Sequence, residues 1–150
     1  MSEYDFGHRQ APDDVVAART ALAEEVCVEL RRAGLPAFLD DPHAEERAGA
    51  VVYVDRGADV ACGVTVGWRC DPAVIEVACD KLQEGDATAA VLRYPGTIAT
   101  YMQDPLIKIL LSSGFIATLE NDTMNPDHVQ VLGRKSGLRT EATDTPPENS

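Results

Sequence analysis

Positive charge is scarce in this chain. Thirteen Lys and Arg stand against 25 Asp and Glu, a formal net charge of −12 over 150 residues. A nucleic-acid binder needs cations to displace condensed counterions. No basic stripe exists here, and the adjacent basic pairs are Arg31-Arg32 and Arg134-Lys135. Nucleic acid is discounted as a partner on that ground, and anionic membrane surfaces are discounted with it. Long apolar runs are also missing: none approaches the ~20 residues that cross a bilayer. The opening residues, MSEYDFGHRQ, lack the apolar segment of a secretory signal. The four cysteines (Cys27, Cys62, Cys70, Cys79) show neither CxxC nor any other zinc spacing. They read as reduced, mostly buried thiols of a cytoplasmic protein. GxGxxG, Walker, HExxH and GxSxG patterns are all absent, which weighs against the common enzyme families. No cofactor and no metal is expected.

What is present is ordinary for a globular protein: 45% hydrophobic and 25% charged residues. The length suits one domain that buries about two-thirds of its unfolded surface. Three Lys against ten Arg, with 20 Ala, carries the signature of high-GC bacterial coding. An acidic surface fits plain solubility, a basic partner or a cationic ligand.

Residues 1–11 read as a flexible N-terminus, 12–134 as the domain and 135–150 as a disordered acidic tail. Pro12-Asp13-Asp14 opens a helix in which Val15, Ala18, Leu22, Val26 and Leu30 recur at helical spacing, and Gly34 ends it. Residues 35–39 predict a short edge strand, and 50–54 a second strand. The stretch VACGVTVGW, 60–68, alternates apolar even positions with small odd ones. A five-residue turn pairs Val54 with Val60, Val52 with Cys62 and Ala50 with Val64. The even residues then share one apolar face that helices must cover. On the other face Tyr53 lies over Gly63. Asp71-Pro72 starts a second helix with Val74, Ile75, Ala78, Cys79 and Leu82 on its apolar side. Residues 86–96 are ambiguous, with a break at Pro95-Gly96. Residues 97–113 read as two helical pieces divided at Asp104-Pro105. FIATLE and HVQVLGR form a final hairpin. The fold class is α+β, an antiparallel sheet of about five strands with helices mainly on one face, in the order α-β-β-β-α-α-β-β.

Four clusters invite a chemical reading. The acidic loop 40–46 and the loop 121–128 carry oxygen and imidazole ligands, yet neither has a spacing that converges them. Cys70 precedes a helix N-terminus, where thiolates are favoured, but Asp71 beside it opposes ionisation. Arg93, Tyr94 and Tyr101 surround the Pro95-Gly96 break, where a pocket mouth can form.

In layout alone, residues 12–134 resemble the small acidic secretion chaperones: a helix, three strands, a helix, two strands. The helical stretch 86–113 departs from that layout. The leading functional reading is a non-enzymatic acidic protein-interaction module of the chaperone, immunity or regulator kind. Its partner is another protein or a second copy, met through a sheet face or a helix surface. The alternative is a small-molecule-binding protein or minor enzyme. Its pocket would lie between the sheet and the break at 93–101, with Tyr53, Thr65, Arg69, Arg93, Tyr94 and Tyr101 as ligand-binding groups.

Overall fold

A computed structural model describes residues 9–58, 63–119 and 127–135. The first helix, α1, is Asp13–Arg32, with Asp13 and Asp14 in its first turn and Arg31 and Arg32 in its last. Both pairs complement the helix dipole. Gly34 adopts φ 101°, a conformation a side chain would resist, and so turns the chain toward the sheet. The buried positions of α1 are Val16, Ala23, Val26, Cys27 and Leu30. The expected stripe through Val15, Ala18 and Leu22 is therefore rotated by about one residue at its N-terminal half. Adjacent apolar pairs leave the facing side open in sequence, and the sheet chooses it.

Five strands follow: β1 Ala37–Leu39, β2 Gly49–Val54, β3 Val64–Arg69, β4 Phe115–Leu119 and β5 Val129–Arg134. Their spatial order is β1-β2-β3-β5-β4. The α+β class is as expected. The sheet, however, is mixed rather than wholly antiparallel, because β1 runs parallel to β2. The exposed connection 40–48 carries the chain back to the starting end of the sheet instead of reversing it at once. The Ala50 N–H then donates to the Pro36 carbonyl at 2.8 Å, and the Asp40 N–H to the Val52 carbonyl at 2.9 Å.

The β2–β3 register differs from the five-residue turn. Val54 pairs with Val64, Val52 with Val66 and Ala50 with Trp68. The slip is by an even number of residues, so face identity survives it. Ala50, Val52, Val64 and Val66 are all completely buried on one side of the sheet. A side chain from α1 explains the longer connection. Arg19 Nη1 donates to the Asp55 carbonyl at 2.8 Å and to the Gly57 carbonyl at 3.0 Å. Gly63, at φ 82°, has no Cβ where the Arg19 side chain passes. Tyr53 thus does not cover Gly63; Arg19 does. The incoming chain also joins this connection, as Gln10 bridges Gly57 and the Ala11 N–H donates to the Arg56 carbonyl at 2.8 Å. Val60 and Cys62 lie outside the described residues.

Asp71 caps the second helix, α2 (Pro72–Gln83), as expected: its Oδ1 accepts from the Ala73 N–H at 2.9 Å. A 3-10 turn, Ala90–Leu92, leads directly into α3, Tyr94–Ser112. Pro95 sits in the first turn of α3, where its missing N–H costs nothing, so no break occurs there. Nor does Pro105 divide the helix. Ala99 is buried before it, and Leu106 and Leu110 after it, so continuous packing holds both halves in line. The carbonyl that Pro105 cannot serve is that of Tyr101, a residue 69% exposed, and water is available to it. Asp104 caps nothing; it pairs with Lys108 at 3.0 Å.

The final hairpin is present, with a bulge. Ala117 faces Val131 while Ile116 faces Gly133, which leaves Leu132 unmatched. The extra residue turns Arg134 to the helix-covered face, as bulges re-aim side chains. There its guanidinium lies 4.2 Å over the Phe115 ring and 2.6 Å from Glu25. The core joins α1, the even residues of β2 and β3, and Leu106, Leu110, Phe115, Val129 and Val131. Among the described residues no helix is long and apolar enough to cross a membrane.

Leu110 is fully buried whereas Leu82 is 58% exposed. Leu110→Ala is expected to cost about 2–5 kcal/mol in urea unfolding. Leu82→Ala is expected to stay within about 0.5 kcal/mol. Removing the clamp with Arg19→Ala should accelerate hydrogen exchange at the Ala11 and Ala58 amides, which bond to Arg56 and Arg9. Protection in α3 should be unchanged.

Candidate functional site

The six residues singled out for a ligand do not meet at one place. Tyr53, Thr65 and Arg69 are odd-numbered and leave β2 and β3 on the face opposite the helices, half-buried. Tyr53 and Thr65 are direct cross-strand partners. Arg69 Nη2 lies 3.4 Å from Asp40, and its guanidinium 5.8 Å from the Phe38 ring. Arg93, Tyr94 and Tyr101 belong to α3 and its entry. All three are exposed, Tyr94 by 49% and Tyr101 by 69%.

The small positions of β3 have a concrete neighbour. His128 stacks on Tyr53 with ring centroids 5.1 Å apart and planes 12° from parallel. A Cβ on Gly67 would stand 2.8 Å from His128 Nε2. Glycine at 67 is therefore the space into which the imidazole fits. In the sequence His128 is the last residue of the loop 121–128 and the first of HVQVLGR, with nothing local to place it over β3. The signal that would have found it is a glycine in mid-strand, which marks close approach of another group.

Arg93 lines an open groove of about 520 Å³ together with Leu92, Gly96, Thr97, Thr100 and Asp127. Its polar content is thin. The Thr97 and Thr100 hydroxyls donate back to the carbonyls of Arg93 and Gly96, each at 2.9 Å. A bound molecule would have Arg93 and Asp127 as its charged contacts.

Loop 40–48 is exposed throughout, and Asp41 Oδ1 accepts from the His43 N–H at 2.9 Å as turn chemistry. Of the second acidic loop only Asp127 and His128 lie within the described residues. Among those residues no three His, Cys, Asp or Glu side chains are grouped to hold an ion. Cys70 is buried. Burial first, and the neighbouring Asp71 carboxylate second, push its thiol above the ordinary value. Burial likewise raises Cys27, against the opposing charge of Arg31. Both favour the neutral thiol, the reverse of what a nucleophile needs.

The helix α2 is the least buried of the three: it packs on the 3-10 turn, with Val74, Ile75 and Ala78 half-buried. Its N-terminus is capped and its sequence amphipathic, yet none of its residues is buried. Val77 is 46% exposed, and Leu82 and Cys79 also face solvent. Comparison with known proteins finds no matching family, no matching curated protein and no matching solved structure.

Gly67→Ala should evict the imidazole and cost about 0.5–1.5 kcal/mol, the worth of an aromatic pair. In a His128→Ala background the same change should cost almost nothing, and a double-mutant cycle reads the difference. Alkylation at about pH 8, followed by peptide mapping, should label Cys79 quickly and Cys27 and Cys70 slowly. The raised thiols also fix a sign for alkaline stability. Their contribution is whole below the ordinary value of 9.0. It is lost as pH climbs through the higher folded values, because the unfolded chain ionises first. Unfolding free energy should fall from about pH 9 upward, and less steeply in Cys27→Ala.

Proposed function

We propose that this chain is a non-enzymatic protein-interaction module of the cytoplasm that meets its partner through the surface of α2. The observation that carries the reading is that no residue of that helix is fully buried, with Val77 and Leu82 exposed by 46% and 58%. A 12-residue helix is marginal in isolation, and helices of this length usually owe their stability to packing of an apolar face. Here that face is only partly covered: Val74, Ile75 and Ala78 are half-buried, and Val77, Cys79 and Leu82 are exposed. The three described cysteines are free thiols, in keeping with a reducing compartment.

A second surface favours self-association. The β4 strand, FIATL, is an outer strand of the sheet and carries no charge and no proline. Ile116 and Leu119 on it are exposed by 38% and 53%. Natural edges are usually blunted by charge or proline, so this edge suits pairing with a second copy.

Photo-crosslinking in the native host tests the main reading. A photoreactive residue at position 82 should give a discrete protein adduct, and one at exposed position 21 of α1 should not. The small-molecule alternative predicts the opposite pattern. It requires no adduct at 82, together with a thermal shift from a metabolite that Arg93→Ala abolishes.

A further inference from the structure

We propose that the flank of the sheet at β1 binds a small oxyanion, a phosphate or a carboxylate group, between the side chains of Arg47 and Arg69. The site is separate from α2 and goes beyond the interaction reading above. Two guanidinium groups share one aromatic ring there. Arg47 lies 4.2 Å and Arg69 5.8 Å from the centre of the Phe38 ring. The two cations are therefore no further apart than the sum of those distances. Arg31 adds a third at the same strand, its Nε donating to the Ala37 carbonyl at 2.8 Å. Burial raises the Cys27 thiol, and the charges of Arg31 and Arg47 both oppose it, so these two arginines stand near one thiol.

Such a gathering stands out in a chain of net charge −12 with 13 Lys and Arg. Like charges at this range repel, and the protein gives them little relief. Asp40, 3.4 Å from Arg69, is the one carboxylate within ion-pair distance of any of the three among the described residues. Asp41 is turned to the His43 N–H. Glu45 and Glu46 precede Arg47 in the chain and make no ion pair with it. The Phe38 ring is 6% exposed, so it holds the guanidinium groups by cation–π attraction and is itself closed to a ligand. That attraction engages the flat side of a guanidinium and leaves its N–H edge for an acceptor. Among the described residues Arg47 donates to no protein acceptor and Arg69 to Asp40 alone. An oxyanion between two such edges accepts from each at about 2.8 Å and relieves their repulsion. The field of the whole chain repels a polyanion such as nucleic acid, so the occupant is compact.

The test titrates inorganic phosphate into the isotope-labelled full chain, with sodium chloride holding ionic strength constant. NMR should show saturable shift changes at the Arg47 and Arg69 side-chain N–H groups and at the amides of 38–40, half-complete below about 10 mM. A parallel titration with acetate separates the two sources. A response to phosphate alone assigns a phosphate group, one to acetate alone a carboxylate, and one to both a site open to either; each upholds the site. Arg47→Ala should weaken binding at least about tenfold. Arg69→Lys keeps the charge and loses the planar fork, and should weaken it more mildly. Arg93→Ala, on the entry to α3, should leave it unchanged. Arg47 is exposed, so Arg47→Ala should keep the parental melting temperature; if it does not fold, Arg47→Lys carries the same test. A linear, unsaturated response to both anions, shift changes centred elsewhere, or undiminished binding by the Arg47 variant would each overturn the site and leave the two arginines as cover for Phe38. The crosslink at position 82 is independent of every one of these outcomes.

Discussion

One pleat face holds the fold together. The even-numbered side chains of β2 and β3, with Val129 and Val131 of β5, form an aliphatic floor. Both α1 and α3 must cover it. Each fully buried Val or Leu contributes about 1.5–3 kcal/mol, and they are contiguous, so removing one exposes its neighbours. Other features follow from that floor: the direction of α1, the straightness of α3 across Pro105, and the outward turn of the odd residues. Helices on one side leave the other side to Phe38, Val51, Tyr53 and Gly67. There the cover is made by side chains: Arg47 4.2 Å over Phe38, and His128 over Gly67.

Polar devices pin the margins of this apolar plan. At one end, Arg19 holds the β2–β3 connection against α1. At the other, the bulge between β4 and β5 delivers Arg134 to Glu25 and the Phe115 ring. Arg134 Nη2 lies 3.7 Å from Glu29, and neither it nor Nε has a hydrogen-bond partner. The stabilisation of that arginine therefore comes from charge and from the ring face rather than from a complete set of hydrogen bonds. Both arginines tie α1 to the sheet, Arg19 at the β2–β3 connection and Arg134 at the end of β5.

The second helix stands apart from the core. None of the residues of α2 is buried, and the helix packs on the 3-10 turn rather than on the floor. The groove beside Arg93 is the other surface of note, but its threonines are spent on their own helix.

Much of the architecture was legible in the chain. Asp71-Pro72, Gly34 and the acidic opening of α1 act over a few residues, so local chemistry determined where those helices begin and end. Strand alternation determined which residues share a face, because parity survives any even slip in register. Tertiary structure decided the rest. The β2–β3 register waited on Arg19, which is distant in sequence. Parallel β1 depended on the path of an exposed connection. The Tyr53–His128 stack, one continuous α3 and the helix-side position of Arg134 all depended on contacts between segments far apart. So did the exposure of α2, since periodicity marks an apolar face but says nothing of what, if anything, lies against it.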